Sequence, residues 1–307
     1  MKRILFITAN RLGDAVISSG VLAELMRRYP KARITVACGP VAAGFFAPCP
    51  AVDRVIVLTK KPYDLHWLGL WWTCARVFWD LVIDLRGSGL SLFLPAMRRR
   101  ILRGGRRPGA RIGHLAGLFQ GDVTLMPRTW SRPEQTRLAA EILPPTRRYG
   151  AIAPTANWEG KIWPAENFIA VARRMQAQGL TPVVFYGPGD EEKALARPVL
   201  EALAQDMPSD RETVRDLGGQ YSLGMVAALL ARCSLFVGND SGLMHLAAAA
   251  GTPTLGLFGP SRASEYAPTG PRACFVAAPG PEGEAPIAGL TIETVLQAAA
   301  SLLANEG

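Results

Sequence analysis

The segment GNDSGLMHLAAAAGTPTLGLFGP, residues 238–260, decides the architecture of this chain. With LFV before it, from Leu235, it reads as a strand end, a sharp turn, a helix of small residues and a second strand. Asp240 and Ser241 can each cap the helix N-terminus. Gly242 removes a side chain where a ligand could approach the backbone. A helix start offers unpaired N–H groups and a partial positive charge, which suits phosphate. His245 follows Ser241 by one helical turn and shares its face. The helix stops at Gly251, with Pro253 beyond it. Capping alone accounts for Asp240 and Ser241, and packing alone accounts for His245, so ligand binding and local structure both stand as readings at this point.

The same rhythm extends in both directions. RILFITA, RITVAC, RVIVL and DLVIDL read as strands, and Leu12 to Tyr29 reads as a helix. A second series starts near Tyr149 with GAIAP, a helix from Pro164 to Gly179, the strand TPVVFYG and a helix DEEKALARPVLEAL that Pro198 is expected to kink or divide. VRDLGG, SLGMVAALLARC and SLFVG lead into the opening segment. Such alternation implies α/β halves with parallel sheets covered by helices. The Pro/Arg-rich LPPTRRYG, residues 143–150, marks the expected boundary, giving domains 1–147 and 148–307. The last helix, TIETVLQAAASLLAN, is a candidate to pack back on the first domain, and PGPEGEAP is expected to be a loop.

Composition narrows the class. The chain has 307 residues and 49% hydrophobic content, enough for two buried sheets. It has no apolar run of about 18 residues, so no transmembrane helix is expected. MKRILFITANRLGDAV lacks the form of a signal peptide. The five cysteines at 38, 49, 74, 233 and 274 are odd in number and lack metal spacing. They fit reduced thiols in cytoplasm. The net charge of +9 is concentrated, with Arg98, Arg99, Arg100, Arg103, Arg106, Arg107 and Arg111 in one short stretch. Nucleic acid, anionic lipid and anionic small substrates are compatible with it, but no nucleic-acid-binding motif accompanies it. Trp67, Trp71, Trp72 and Trp79 precede the cluster, and their reading divides between packing and a membrane-facing role.

Three further turns carry polar groups at strand ends. The first strand runs into RLGD, where Asp14 opens a helix, and G-x-G-x-x-G is absent, which weakens a dinucleotide reading. APTANWEGKIWP, residues 153–164, places Lys161 and Trp163 ahead of a helix. YGPGDEE, residues 186–192, offers Glu191 and Glu192 either to ribose hydroxyls or to a helix dipole. No Asp-x-Asp pair or His/Cys ligand cluster is evident, so metal-independent chemistry is favoured.

Residues 238–260, the LGD turn after the first strand and the K-x-W-P core together resemble glycosyltransferase family 9, the bacterial heptosyltransferases of lipopolysaccharide synthesis. The resemblance implies GT-B architecture, two Rossmann-like doubly wound domains facing across a cleft. It implies an inverting transferase moving heptose from ADP-heptose to a lipopolysaccharide core or related surface glycan. Asp14 matches the family's catalytic base, since an ionised carboxylate can take the acceptor's proton. Lys161 matches the lysine that neutralises the donor diphosphate. Thr155 and Ala156 fall where hydroxyl residues contact phosphate, and Ala156 departs from that pattern, leaving only its backbone. One of Glu191 and Glu192 is implied at the ribose, Tyr221 beside the base, and Asp240, Ser241, Gly242 and His245 along the donor. The acidic, lipid-linked acceptor gives Arg98, Arg103 and Arg111 a reason to cluster. No cofactor is implied beyond the nucleotide-sugar substrate, and the expected location is the cytoplasmic face of the inner membrane, held peripherally. The alternatives are a family-9-like transferase of another sugar and a nucleotide-sugar-binding protein that does not catalyse transfer.

Overall fold

Short apolar runs bounded by turns form strands buried on both faces, and the stretches between them supply the covering helices. The computed structural model describes residues 1–60, 62–102, 108–206 and 215–304. They gather into two compact units, Met1–Ser131 and Arg132–Gly307.

The first unit runs β1 (Arg3–Ile7), α1 (Leu12–Arg28), β2 (Arg33–Cys38), α2 (Pro40–Phe46), β3 (Val52–Val57), α3 (Leu65–Cys74), β4 (Leu81–Asp84), β5 (Arg99–Ile101) and α4 (Arg111–Ala116). Its strands are all parallel, in the order β3-β2-β1-β4-β5. The chain steps outward from β1 in one direction, then returns to its other side. That reversal leaves a crevice beyond the carboxyl ends of β1 and β4. Ile7 pairs in register with Asp84, so Thr8 and Leu85 leave the sheet at one level.

The second unit runs α5 (Pro133–Ile142), β6 (Arg148–Ala153), α6 (Ala165–Ala177), β7 (Leu180–Val184), α7 (Asp190–Gln205), β8 (Arg215–Asp216), α8 (Leu223–Leu230), β9 (Leu235–Asn239), α9 (Gly242–Ala249), β10 (Thr254–Phe258), α10 (Ala263–Tyr266), β11 (Ala273–Ala277) and α11 (Ile292–Ala304). Its parallel sheet has the order β11-β10-β9-β6-β7-β8, with the reversal between β6 and β9. Ala153 pairs with Gly238, which sets Thr155 and Asp240 at the same end of the sheet.

Two expectations differ from the structure in detail. The division between units falls at 131/132, ahead of the expected 147/148, because α5 packs against α8. Gln135 fixes it there, accepting from Arg132 N at 2.7 Å and donating to Ser222 Oγ at 3.1 Å. The terminal helix α11 packs within the second unit. It covers β9, β10 and β11 beside α6, burying Val295 and Ala299. Pro198 does not divide α7, which runs unbroken from Asp190 to Gln205 with Pro198 on its exposed face and Ala196, Val199 and Leu203 buried. Among the described residues no helix is long and apolar enough to cross a membrane.

One ion-pair cluster in the first unit makes a pH-dependent contribution to its stability. Glu24, on the buried side of α1, accepts from Arg27 through two bonds of 2.7 Å and from Arg28 at 2.6 Å. The Arg27 bonds, followed by those of Arg28, outweigh burial and hold its carboxyl at about 2. An unfolded glutamate titrates near about 4.3, so this contribution is present above that pH and is lost as pH falls towards 2. Urea unfolding of Glu24→Gln should show a deficit against the native chain at pH 6 that shrinks by pH 3. A deficit equal at both values would contradict it.

Candidate active site

The carboxyl end of the second sheet gathers the polar residues that sequence singles out. β9 ends at Asn239, and α9 starts at Gly242 with Ser241 as its N-cap residue. Ser241 makes no side-chain capping bond. Its hydroxyl is buried without a hydrogen-bond partner, as is the Nδ2 of Asn239. Asp240 does not cap either: its carboxylate accepts from Lys161 Nζ at 2.5 Å. The capping reading of both residues therefore fails. What stands at the N-terminus of α9 is an ammonium group, free backbone N–H groups and two unspent buried polar atoms. Buried polar groups are ordinarily paired, so unspent ones at a helix N-terminus suit an oxygen-rich anion. His245 is buried one turn along α9.

Lys161 reaches this point because its loop is pinned behind it. Trp163 is fully buried, donates from its indole to Leu290 O at 2.9 Å and lies edge-on to Phe168. Its backbone N–H donates to Asn239 Oδ1 at 3.1 Å. The K-x-W-P tryptophan is thus a packing residue, and it ties the lysine's loop directly to the end of β9. Thr155 and Ala156 are buried where the chain leaves β6.

The β7 and β8 ends separate the two glutamates. Glu192 turns back on its own loop and accepts from Gly187 N at 3.2 Å, whereas Glu191 is exposed. Tyr186 donates to Asp216 at 2.9 Å, and burial together with that carboxylate pushes its hydroxyl up to about 12. Its ring lies against Gly218, where a Cβ atom would come within 2.1 Å, so only glycine fits there. This packing fixes the start of the turn that leads to half-buried Tyr221.

In the first unit a cavity of about 430 Å3 opens at the β1/β4 reversal. Asp14 lines it together with Arg11, Arg86 and Arg111, above Thr8 and Ser18. The N-cap position of α1 belongs to Arg11, so Asp14 lies inside the first turn and makes no capping bond. Asp84 shapes the rim. Fully buried, it accepts from Arg86 N, Gly87 N, Ser88 N, Ser88 Oγ and Ser91 Oγ at 2.8–3.1 Å, fixing the loop that carries Arg86.

Of the three arginines named from the sequence, Arg111 lines this cavity among the described residues. Arg98 is exposed and absent from its lining, and Arg103 lies outside the described residues. Arg99 and Arg100 are spent on backbone carbonyls, Arg99 on those of Ser91, Leu94 and Ala96 and Arg100 on that of Leu118. Arg11 and Arg86 were missed. Arg11 stood in the RLGD turn itself, and Arg86 directly follows the fourth strand. A basic residue just past a central strand is the signal that would have found both.

Residues 120–286 match the family model described as glycosyltransferase family 9 (heptosyltransferase). The chain belongs to glycosyltransferase family 9. Lipooligosaccharide heptosyltransferase 2 of Haemophilus influenzae is 27% identical over 86% of this chain and 85% of its own. Among solved structures, a family 9 glycosyl transferase from Veillonella parvula superposes with a TM-score of 0.82 at 25% identity, covering 99% of this chain and 98% of that one. The ADP-heptose lipopolysaccharide heptosyltransferase II of E. coli superposes at 0.78 and 21% identity, covering 100% and 99%. Family membership makes the chain a glycosyltransferase, and its two parallel-sheet α/β units are those of the GT-B class.

Trp163→Ala should lower the second unit's unfolding free energy by about 3–5 kcal/mol, the usual loss for a buried tryptophan. Urea unfolding followed by far-UV circular dichroism checks it. Loss below about 1 kcal/mol would mean that the loop is held by other contacts.

Proposed function

We propose that this family 9 enzyme moves heptose from ADP-heptose to a lipopolysaccharide-core or related surface-glycan acceptor, with inversion and without a metal ion. The observation that carries the reading is the second unit's anion site, where Lys161 and the N-terminus of α9 stand among unspent buried polar groups. A diphosphate is a ligand that would use all of them. The named donor of the E. coli structural neighbour, ADP-heptose, supports the choice of sugar nucleotide.

In the reaction an acceptor hydroxyl attacks the anomeric carbon as its bond to the β-phosphate oxygen breaks. Charge grows on the departing nucleoside diphosphate. Lys161, the N–H groups of α9 and His245 would stabilise it, and preorganised groups of this kind supply a large part of such catalysis. Asp240 holds the ammonium in position until the diphosphate competes for it. Thr155 and the backbone of Ala156 would complete the phosphate contacts, and Gly242 would leave room for the sugar end. Glu191, unlike the internally bonded Glu192, is left to meet the ribose, with Tyr221 beside the base. The carboxylate of Asp14 would take the hydroxyl's proton. Lys161 supplies the positive charge that a metal ion would otherwise bring.

Arg11, Arg86 and Arg111 around Asp14 favour an acceptor that carries negative charge. That fits an acidic, lipid-linked glycan, and with it peripheral contact with an anionic membrane surface at the cytoplasmic face.

Two substitutions separate the roles. Asp14→Asn should reduce acceptor-dependent ADP release by roughly 10²–10⁴-fold while ADP affinity, read by calorimetry, is kept. Lys161→Ala should weaken ADP binding at least tenfold as well as slowing turnover. An Asp14→Asn enzyme of near-native rate would remove Asp14 as the base. Unchanged ADP affinity in Lys161→Ala would take the diphosphate elsewhere. Nucleotide binding with no transfer from ADP-heptose, in the native chain with acceptor present, would favour another sugar or a non-catalytic role.

A further inference from the structure

Helix α3, LHWLGLWWTC, has no Asp, Glu, Lys or Arg residue. A helix apolar on all sides is ordinarily buried on all sides. This one is not. Leu70 and Cys74 lie in the first unit's core, with Trp67 and Trp71 packed against it and Leu90 and Leu94 opposite. Its other stripe, Leu65, Leu68 and Trp72, has the spacing of a single helical face, and the latter two are 60% and 61% exposed. The neighbouring turn continues the surface. Trp71 Nε1 donates to Phe93 O at 3.2 Å, beside Leu92 and Phe93, which are 60% and 75% exposed.

We propose that the outer face of α3 and the Leu92–Phe93 turn form one lipid-docking surface, which seats the first unit on an anionic bilayer by shallow apolar insertion. This deepens the membrane contact proposed above and rests on it. Charge selects the occupant. The Arg76 guanidinium lies 5.0 Å from the centre of the Trp72 ring, and Arg98 is exposed a few residues beyond Phe93. Near this surface Asp64 is the exposed acid, 72% open at the helix start. The other two carboxylates of the region are engaged, Asp80 by Arg3 N and Asp84 by its own loop. An aromatic and aliphatic face edged by arginines matches the headgroup boundary of an anionic membrane, where apolar burial and attraction to lipid phosphate add. A second copy of this chain would instead bring the same arginines against one another.

The test is flotation of the full chain with vesicles of phosphatidylglycerol and phosphatidylethanolamine, and with phosphatidylcholine alone. The native chain should float with the anionic vesicles, and part of that binding should survive 0.5 M salt. The double variant Leu92→Ser, Phe93→Ser should bind at least tenfold more weakly at that salt and keep native ADP affinity. Trp72→Phe should lose the fluorescence quenching that brominated lipid tails cause in the native chain. Both variants alter exposed side chains, and circular dichroism verifies their folding. If the double variant floats like the native chain and salt abolishes all binding, the contact is by arginines alone. The insertion surface is then overturned while membrane association stands. If the native chain floats with no vesicle, both fail. If it dimerises without lipid and the double variant is monomeric by sedimentation, the face belongs to a second copy and the lipid assignment is wrong.

Discussion

The order of the parallel strands reverses once in each sheet, and that constraint puts the chemistry where it is. At the reversal, neighbouring connections leave on opposite faces and the strand ends between them stay uncovered. In the first unit this exposes the ends of β1 and β4, which carry Asn10, Arg11 and Arg86. In the second it exposes the ends of β6 and β9, which carry Thr155 and Asp240. Neither site needs a cavity carved from a packed core.

The two sites differ in how their charges are held. Asp240 and Lys161 neutralise each other, 79 residues apart in sequence, because the backbone N–H of Trp163 donates to the Asn239 side chain and ties the two segments together. The cation therefore stays at the helix N-terminus without a bound anion. Around Asp14 the guanidinium groups outnumber the carboxylate, and the surplus positive charge is left for a ligand to offset. One site is charge-balanced and directed by a helix end. The other is charge-biased and directed by its rim.

Much of this was legible in the sequence. The central strands read true because a strand buried on both faces must be a short apolar run with turn residues at its ends, whereas the part-exposed edge strands β5 and β11 gave no such run. Lys161 and Asp240 could be named, but not as partners, since nothing in local pattern records a contact across a sheet. Ser241 read as a cap because its residue type and place fit one. Its hydroxyl is instead left unspent, which local pattern does not record. The arginine run was a poorer guide. Composition drew attention to residues 98–111, yet Arg99 and Arg100 serve backbone carbonyls, while Arg11 and Arg86 came from isolated positions at strand ends. The compact units divide ahead of the Pro-rich stretch for a related reason: α5 is joined to α8 by side-chain contacts that this stretch does not reveal.

The five hydrogen bonds on Asp84 have a consequence for reach. They make one stiff piece of the loop that begins with Arg86, at the cavity that Asp14 lines, and includes Ser91, next to the apolar turn of Leu92 and Phe93. A stiff piece with a ligand contact at one end and a surface contact at the other acts as a ruler. Whatever plane the turn rests on, the cavity stands at a fixed height above it. If the proposed base and lipid contact hold, an acceptor rooted in that plane is sorted by its length before any sugar is recognised, because only a stem of matching height brings its hydroxyl level with Asp14.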